Sequence, residues 1–163
     1  MEYTHVTHTF GPVFDQESRV LILGSFPSVK SREQQFYYGH PKNRFWAMLA
    51  AVYGEAKPET IEAKKDFLLC HKLALWDVIH SCDIQGSSDV SICNVQVNNL
   101  EIILQETQIG QILCNGGKAY ELLCKYCSRP DMPPVFKIPS TSPANAAWRL
   151  ERLVDVWKDK LYF

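Results

Sequence analysis

Charge of either sign is scarce in these 163 residues, and the two signs nearly cancel: 17 Lys and Arg stand against 18 Asp and Glu, a formal net charge of −1. A chain so balanced has no global field with which to coat a polyanion, so any affinity for nucleic acid must come from a local face. Long apolar runs are missing too, and nothing approaches a membrane-spanning helix. The opening Met1-Glu2-Tyr3-Thr4-His5 has neither the basic nor the apolar region of a signal peptide, so an intracellular, cytoplasmic protein is expected. Repeats, low-complexity tracts and linker-like stretches are absent, which leaves one domain over 1–163.

Cysteine is present but lacks the arrangement that would give it chemistry. Cys70, Cys82, Cys93, Cys114, Cys124 and Cys127 are even in number, yet the chain is not a small secreted scaffold, and buried free thiols are expected. Cys124 and Cys127 have redox-motif spacing. A reactive pair normally sits at a helix N-terminus, whereas this pair falls near the end of a helical pattern. No second pair completes a zinc site, so no metal and no cofactor are expected.

What is present is an alternation of short apolar runs with helical patterns. Residues 1–18 show no period, contain the turn signal Gly11-Pro12, and are expected to wrap the domain. Arg19 to Leu23 reads as a buried strand, and so do Leu73 to Ile79, Gln111 to Cys114 and Val135 to Ile138. Helices are expected at about 43–53, 58–71, 99–106 and 118–126, with a last one carrying Ala147, Leu150, Leu153, Val154, Trp157 and Leu161. Residues 81–97 read as polar and turn-rich. The alternation predicts an α/β fold: a three-layer α/β/α sandwich with a central four-stranded parallel sheet.

In such folds ligands bind outside the C-terminal ends of the strands. The unusual residues gather there. Gly24-Ser25-Phe26-Pro27-Ser28, Asp77, Asn115-Gly116-Gly117 and Pro139-Ser140-Thr141-Ser142 all sit at predicted strand ends. Between the first of these loops and its helix runs Phe36-Tyr37-Tyr38-Gly39-His40-Pro41-Lys42-Asn43-Arg44-Phe45-Trp46. Flat rings, an amide and two cations in one stretch suit a nucleobase on a charged backbone. The same stretch also fits simpler roles, with Asn43 as a helix N-cap and Phe45 and Trp46 as core. Asn115-Gly116-Gly117-Lys118 is not a phosphate-binding P-loop and reads as a tight strand-to-helix turn.

His40-Pro41-Lys42-Asn43-Arg44-Phe45-Trp46, with Pro139-Ser140-Thr141-Ser142 far along the chain, resembles the uracil-DNA glycosylase superfamily, and the resemblance spans nearly the whole sequence. The first motif departs from the family pattern: Gly24-Ser25-Phe26-Pro27 puts Phe26 where a catalytic Asn or Asp is usual. That departure, with Tyr38-Gly39-His40-Pro41 and Pro143-Ala144, is similar to the hypoxanthine-DNA (deoxyinosine) glycosylase branch. The resemblance implies a uracil-DNA glycosylase-like fold and a monofunctional enzyme that removes a deaminated base from DNA without metal or cofactor; a monomer is expected.

The resemblance also assigns expected roles. Asn43 supplies the catalytic amide, with His40 stabilising the leaving base or supporting the loop. Tyr38 stacks the base, and Phe26, Ser25, Gly24 and Asp77 line its place. Asp77 falls where relatives read uracil, and would accept from N1–H of hypoxanthine, or donate if protonated; the simpler expectation is a carboxylate that caps a neighbouring helix. Ser140, Thr141 and Ser142 would grip phosphate, or cap, at a helix start. Ala144 or Asn145 would occupy the wedge position, and Lys42 and Arg44 the DNA face. The alternatives are a mismatch-specific uracil-DNA glycosylase, a non-catalytic nucleic-acid-binding relative, and a thiol redox protein using Cys124 and Cys127.

Overall fold

The computed structural model describes residues 2–162. In chain order the elements are β1 (Thr4–Thr7), β2 (Val20–Gly24), α1 (Val29–Gln34), α2 (Phe45–Tyr53), α3 (Ile61–Cys70), β3 (Leu73–Asp77), β4 (Ile79–Ile84), β5 (Cys93–Val97), α4 (Glu101–Leu104), β6 (Gln111–Asn115), α5 (Gly117–Tyr126), β7 (Val135–Ile138) and α6 (Leu150–Leu161).

β2, β3, β6 and β7 form a parallel sheet in the order β3-β2-β6-β7. Every residue of β2 and β3 is buried, as an aliphatic run covered on both faces requires. Chain order reverses between β2 and β6. Right-handed crossovers therefore send the helices that follow β2 and the helix that follows β6 to opposite faces of the sheet. The reversal opens a crevice at the C-terminal ends of β2 and β6, the usual place for a ligand in a doubly wound sheet.

The apolar run at 73–79 is not one strand. It breaks at Val78, where β3 leaves the parallel sheet and β4 begins an antiparallel one in the order β1-β4-β5. Buried Asn98 sutures the break, its side-chain amide donating to the Asp77 carbonyl (2.8 Å) and the Ile79 carbonyl (3.2 Å). Residues 4–7 and 81–97, expected to be irregular, contain the partners of this second sheet. β1 and β5, mostly exposed, lack the continuous apolar signal of a buried strand.

The helices differ from expectation mainly at their ends. Thr60, not Pro58, opens α3, its hydroxyl accepting from Ala63 N–H at 3.0 Å. Gly54 closes α2 in the left-handed conformation that favours glycine. The last helix starts at Leu150, leaving Ala147 in the loop before it, and α1 was not anticipated. Cys124 lies within α5 and Cys127 at its C-terminal end, where burial pushes the Cys127 thiol up; a stabilised thiolate pair is not built here.

α6 packs on α2, with Leu153 and Trp157 fully buried. The Trp157 ring meets Phe45 edge-on, and its Nε1–H donates to the Pro139 carbonyl at 3.1 Å. One side chain thus fills the core and anchors the loop that follows β7. Trp157→Ala is expected to lower unfolding stability by about 3–5 kcal/mol, measured by urea denaturation.

Candidate functional site: a pocket at the strand ends

A pocket of about 280 Å³ opens at the C-terminal ends of the parallel strands. It is lined by Gly24 to Ser28, Tyr38, His40, Asn43, Asp77, Asp89, Asn115 and Ser140 to Ala144, among others. It has room for one base taken out of a stack.

One side is built by three segments that share a hydroxyl. Asn115, at the end of β6, donates from Nδ2 to Thr141 Oγ1 (3.0 Å) and accepts the Thr141 N–H (3.0 Å). Thr141 Oγ1 in turn donates to Asn43 Oδ1 (2.9 Å), which also accepts the N–H of Phe45 (2.9 Å). Backbone N–H can only donate, so the orientation of the Asn43 amide is set. Its oxygen is taken twice, and Nδ2 has no partner among the described residues. The cap expected of Asn43 is present, one residue ahead of the formal cap Arg44. Asn43 therefore offers the pocket a donor, not an acceptor.

His40 is oriented in a similar way. Its Nδ1 accepts the N–H of Lys42 at 3.1 Å, and its carbonyl accepts the N–H of Asn43 at 3.0 Å. In the neutral ring the proton then sits on Nε2, again a donor. His40 supports the loop and lines the pocket.

Arg44 is not a free cation, contrary to expectation. Its guanidinium donates to the carbonyls of Ser142 (2.7 Å), Asn145 (3.2 Å) and Trp148. It clamps the loop after β7, since a fork of N–H donors matches several carbonyls at once. Lys42 is exposed and has no such contact among the described residues.

That loop corrects a second expectation. Ser140 to Ser142 do not lie at a helix start, because α6 begins only at Leu150. The hydroxyls hold the loop instead: Ser140 Oγ accepts from Ser142 N–H and Ser142 Oγ from Ala144 N–H, both at 3.1 Å. Thr141 is wholly buried. Asn145 donates to the Ser140 carbonyl (3.0 Å), and Ala144 is exposed at the pocket rim.

The pocket floor lies over Gly24, the register partner of Asp77. A methyl group added at Gly24 would come within 2.4 Å of Asp77 Oδ1 and 2.9 Å of the Tyr38 hydroxyl, so only glycine permits both approaches. The other Asp77 oxygen, Oδ2, is 2.8 Å from Nε2 of His8, and both side chains are almost completely buried. Among the described residues Asp77 caps no helix; His8 is its partner. Ser25 Oγ donates to Asp89 Oδ1 at 2.9 Å. Desolvation, opposed by the Ser25 hydrogen bond and by Lys118 and reinforced by the charge of Asp77, holds the Asp89 carboxyl above its ordinary value.

Tyr38 has a positive φ of 54° and lines the pocket, with one face of its ring stacked on Phe45 at 4.1 Å between centroids. Phe26 remains as a pocket aromatic, with the Arg32 guanidinium 5.7 Å from its centroid. His8, Asp89 and the bonding of Asn115 went unread in the sequence. His8 and Asp89 lie in stretches without a buried-strand period. Asn115 carried a usable signal, a side-chain amide at the end of a buried strand.

Residues 12–160 match the family described as the Uracil DNA glycosylase superfamily. A protein named hypoxanthine DNA glycosylase from Methanosarcina barkeri is 33% identical over 114 residues, covering 69% of this chain and 72% of that protein. One of the same name from Methanosarcina acetivorans is 35% identical over the same shares. A solution NMR structure from M. acetivorans, provisionally described as a uracil DNA glycosylase, superposes with a TM-score of 0.74 at 31% identity, covering 93% of this chain and 94% of that one. The buried parallel sheet, the polar pocket at its strand ends and these likenesses lead to one assignment: the chain belongs to the uracil-DNA glycosylase superfamily, in its hypoxanthine-DNA glycosylase branch.

Proposed function

We propose that the protein is a monofunctional DNA glycosylase that hydrolyses the N-glycosidic bond of a deaminated base in DNA, hypoxanthine above all. The observation that carries this is the pocket lining, in which Asn43 and His40 both have their acceptor atoms engaged and N–H donors left to offer a base. The relatives named for hypoxanthine support the choice of base. The likeness to a structure described for uracil favours uracil as a second substrate.

Departure of the base builds positive charge on the sugar and negative charge on the base oxygen. Fixed donors aimed at that oxygen stabilise the separated charges without reorganising. Asn43 Nδ2 and His40 Nε2–H are suited to this. An amide is no strong base, so the water enters late, onto a sugar that already carries cationic character. No lysine lines the pocket among the described residues, which leaves no Schiff-base nucleophile and fits hydrolysis without strand cleavage. Phe26 offers the stacking surface, and the loop from Ser140 to Asn145 with exposed Lys42 faces the DNA backbone. The reading has the protein acting as a monomer on DNA in the cytoplasm.

Single-turnover assays on oligonucleotides bearing inosine, uracil, xanthine or no lesion test the reading. Alkali-labile sites at inosine are expected; a folded protein that binds these strands and cleaves none is a non-catalytic relative. Asn43→Asp keeps the oxygen that Phe45 and Thr141 need but loses the donor. It is expected to keep its melting temperature and lose excision, whereas Asn43→Ala also loses about 0.5–2 kcal/mol of stability. Near-normal excision by a folded Asn43→Ala protein would remove Asn43 from the mechanism.

The two cations separate in their expected effects. Lys42→Ala should lower the slope of log affinity against log salt by about 1. Arg44→Ala should act mainly by releasing the loop, lowering both melting temperature and excision rate. A salt titration of DNA binding beside thermal melts measures the difference.

A further inference from the structure

We infer that Asp89 is the carboxylate that takes the proton of the attacking water, brought to the pocket mouth by the turn before β5. The inference rests on the glycosylase reading above and adds the group that completes the hydrolysis.

A water that attacks a sugar must shed a proton, and a side chain that receives it has to be basic and within reach. Most acceptors around the pocket are already engaged. Asn43 Oδ1 takes two hydrogen bonds, and His40 Nδ1 takes the N–H of Lys42. The hydroxyls of Ser140 and Ser142 each accept a backbone N–H. Phe26, in the loop after β2, is apolar and can neither orient water nor deprotonate it. Two carboxylates line the pocket among the described residues, Asp77 and Asp89.

Depth separates them. Asp77 is 3% exposed, lies at the floor, and has Oδ2 tied to His8. Asp89 is an exposed residue, so it stands at the mouth. It also lines an adjoining hollow, together with Ser140, Ser142 and Ala144 of the loop after β7. A flipped base enters such a pocket while still joined to the backbone outside, so C1′ stays near the mouth. The carboxylate at the mouth is the one a water on C1′ can meet.

Asp89 is fixed there from several sides. Its Oδ1 accepts from Ser25 Oγ at 2.9 Å, and Oδ2 has no partner among the described residues, which leaves it for water. Ser25 immediately precedes Phe26, so the carboxylate is tethered to the loop whose own side chain is inert. The Asp89–Ser91 turn is pinned by Ser91, whose hydroxyl donates to the Ser88 carbonyl at 2.7 Å and accepts the Gln85 N–H at 2.8 Å. Ser87 Oγ accepts the N–H of Val29 at 2.9 Å, which joins the same loop to the start of α1. Desolvation raises the carboxyl above its ordinary value and makes it a better base, while the Ser25 hydroxyl and Lys118 favour its ionised form.

The step balances. The C1′–N9 bond of deoxyinosine breaks and both electrons leave with hypoxanthine. The water oxygen bonds to C1′, its O–H electrons stay on oxygen, and the proton passes to Asp89 Oδ2. The products are an abasic sugar with a 1′-hydroxyl and a hypoxanthine anion. Solvent protonates that anion and takes the proton back from Asp89, so no co-reactant is consumed.

Single-turnover excision of inosine, beside thermal melts and affinity for the same oligonucleotide, tests the assignment. Wild-type excision is the arm that tests the glycosylase reading; if it is absent, that reading fails. With it present, Asp89→Asn keeps an oxygen for Ser25 and loses the base. It is expected to hold its melting temperature and DNA affinity while excision falls about 100-fold or more. Asp89→Ala should fall at least as far, and exogenous formate, a small carboxylate that fits the space left, should restore part of its rate. A folded Asp89→Asn protein that excises inosine at the wild-type rate would overturn the proposal. Asp89 would then be only the tie that holds Ser25, a role the amide oxygen also fills.

Discussion

One hydroxyl holds the site together. Thr141 Oγ1 receives from Asn115 and gives to Asn43, and the Thr141 N–H returns to Asn115. The three residues come from the end of β6, the loop after β7 and the start of α2. A hydroxyl has one proton, so the direction of this chain is not arbitrary. Because Phe45 N–H also claims the Asn43 oxygen, the amide cannot flip, and Asn43, which lines the pocket, has only its donor side left to offer. Thr141 is fully buried, where an unmade bond would be expensive and the network is correspondingly rigid.

The loop that carries Thr141 is held from two further directions. Trp157 bonds the Pro139 carbonyl from the core side, and Arg44 gathers three carbonyls farther along. Arg44 is also the residue that opens α2, so the helix, the Asn43 amide and the loop are tied together. A preorganised constellation of this kind suits a reaction whose main requirement is stabilising separated charge, since donors already in place need no reorganisation. The floor of the pocket depends on the absence of a side chain. Gly24 has no side chain, and the volume it leaves is taken by an Asp77 oxygen and the Tyr38 hydroxyl.

Much of this was legible in the chain. Buried strands announce themselves as unbroken aliphatic runs, and all four strands of the parallel sheet were found that way, within a few residues of their bounds. Their polar ends pointed to the pocket, since a buried parallel sheet leaves only its C-terminal rim for chemistry. The second sheet was not legible. β1 and β5 are largely exposed, and β4 alternates too weakly to stand out from a polar stretch. Arg44 was misjudged for a related reason: charge is visible in a sequence, but not whether carbonyls consume it.

What the sequence alone determined, then, is the class of molecule: the alternation of periods that makes a parallel sheet, the strand-end loops, and a motif from His40 to Trp46 that carries the family. What only the tertiary structure decided is the use each side chain is put to. His8 meets Asp77 across 69 residues, and Asn43 meets Thr141 across 98. Local propensity carries no information about such pairs. They arise because burial of the apolar runs brings strand ends and loops together, and because each polar group enclosed there must then find its partner among whatever the packing has placed beside it.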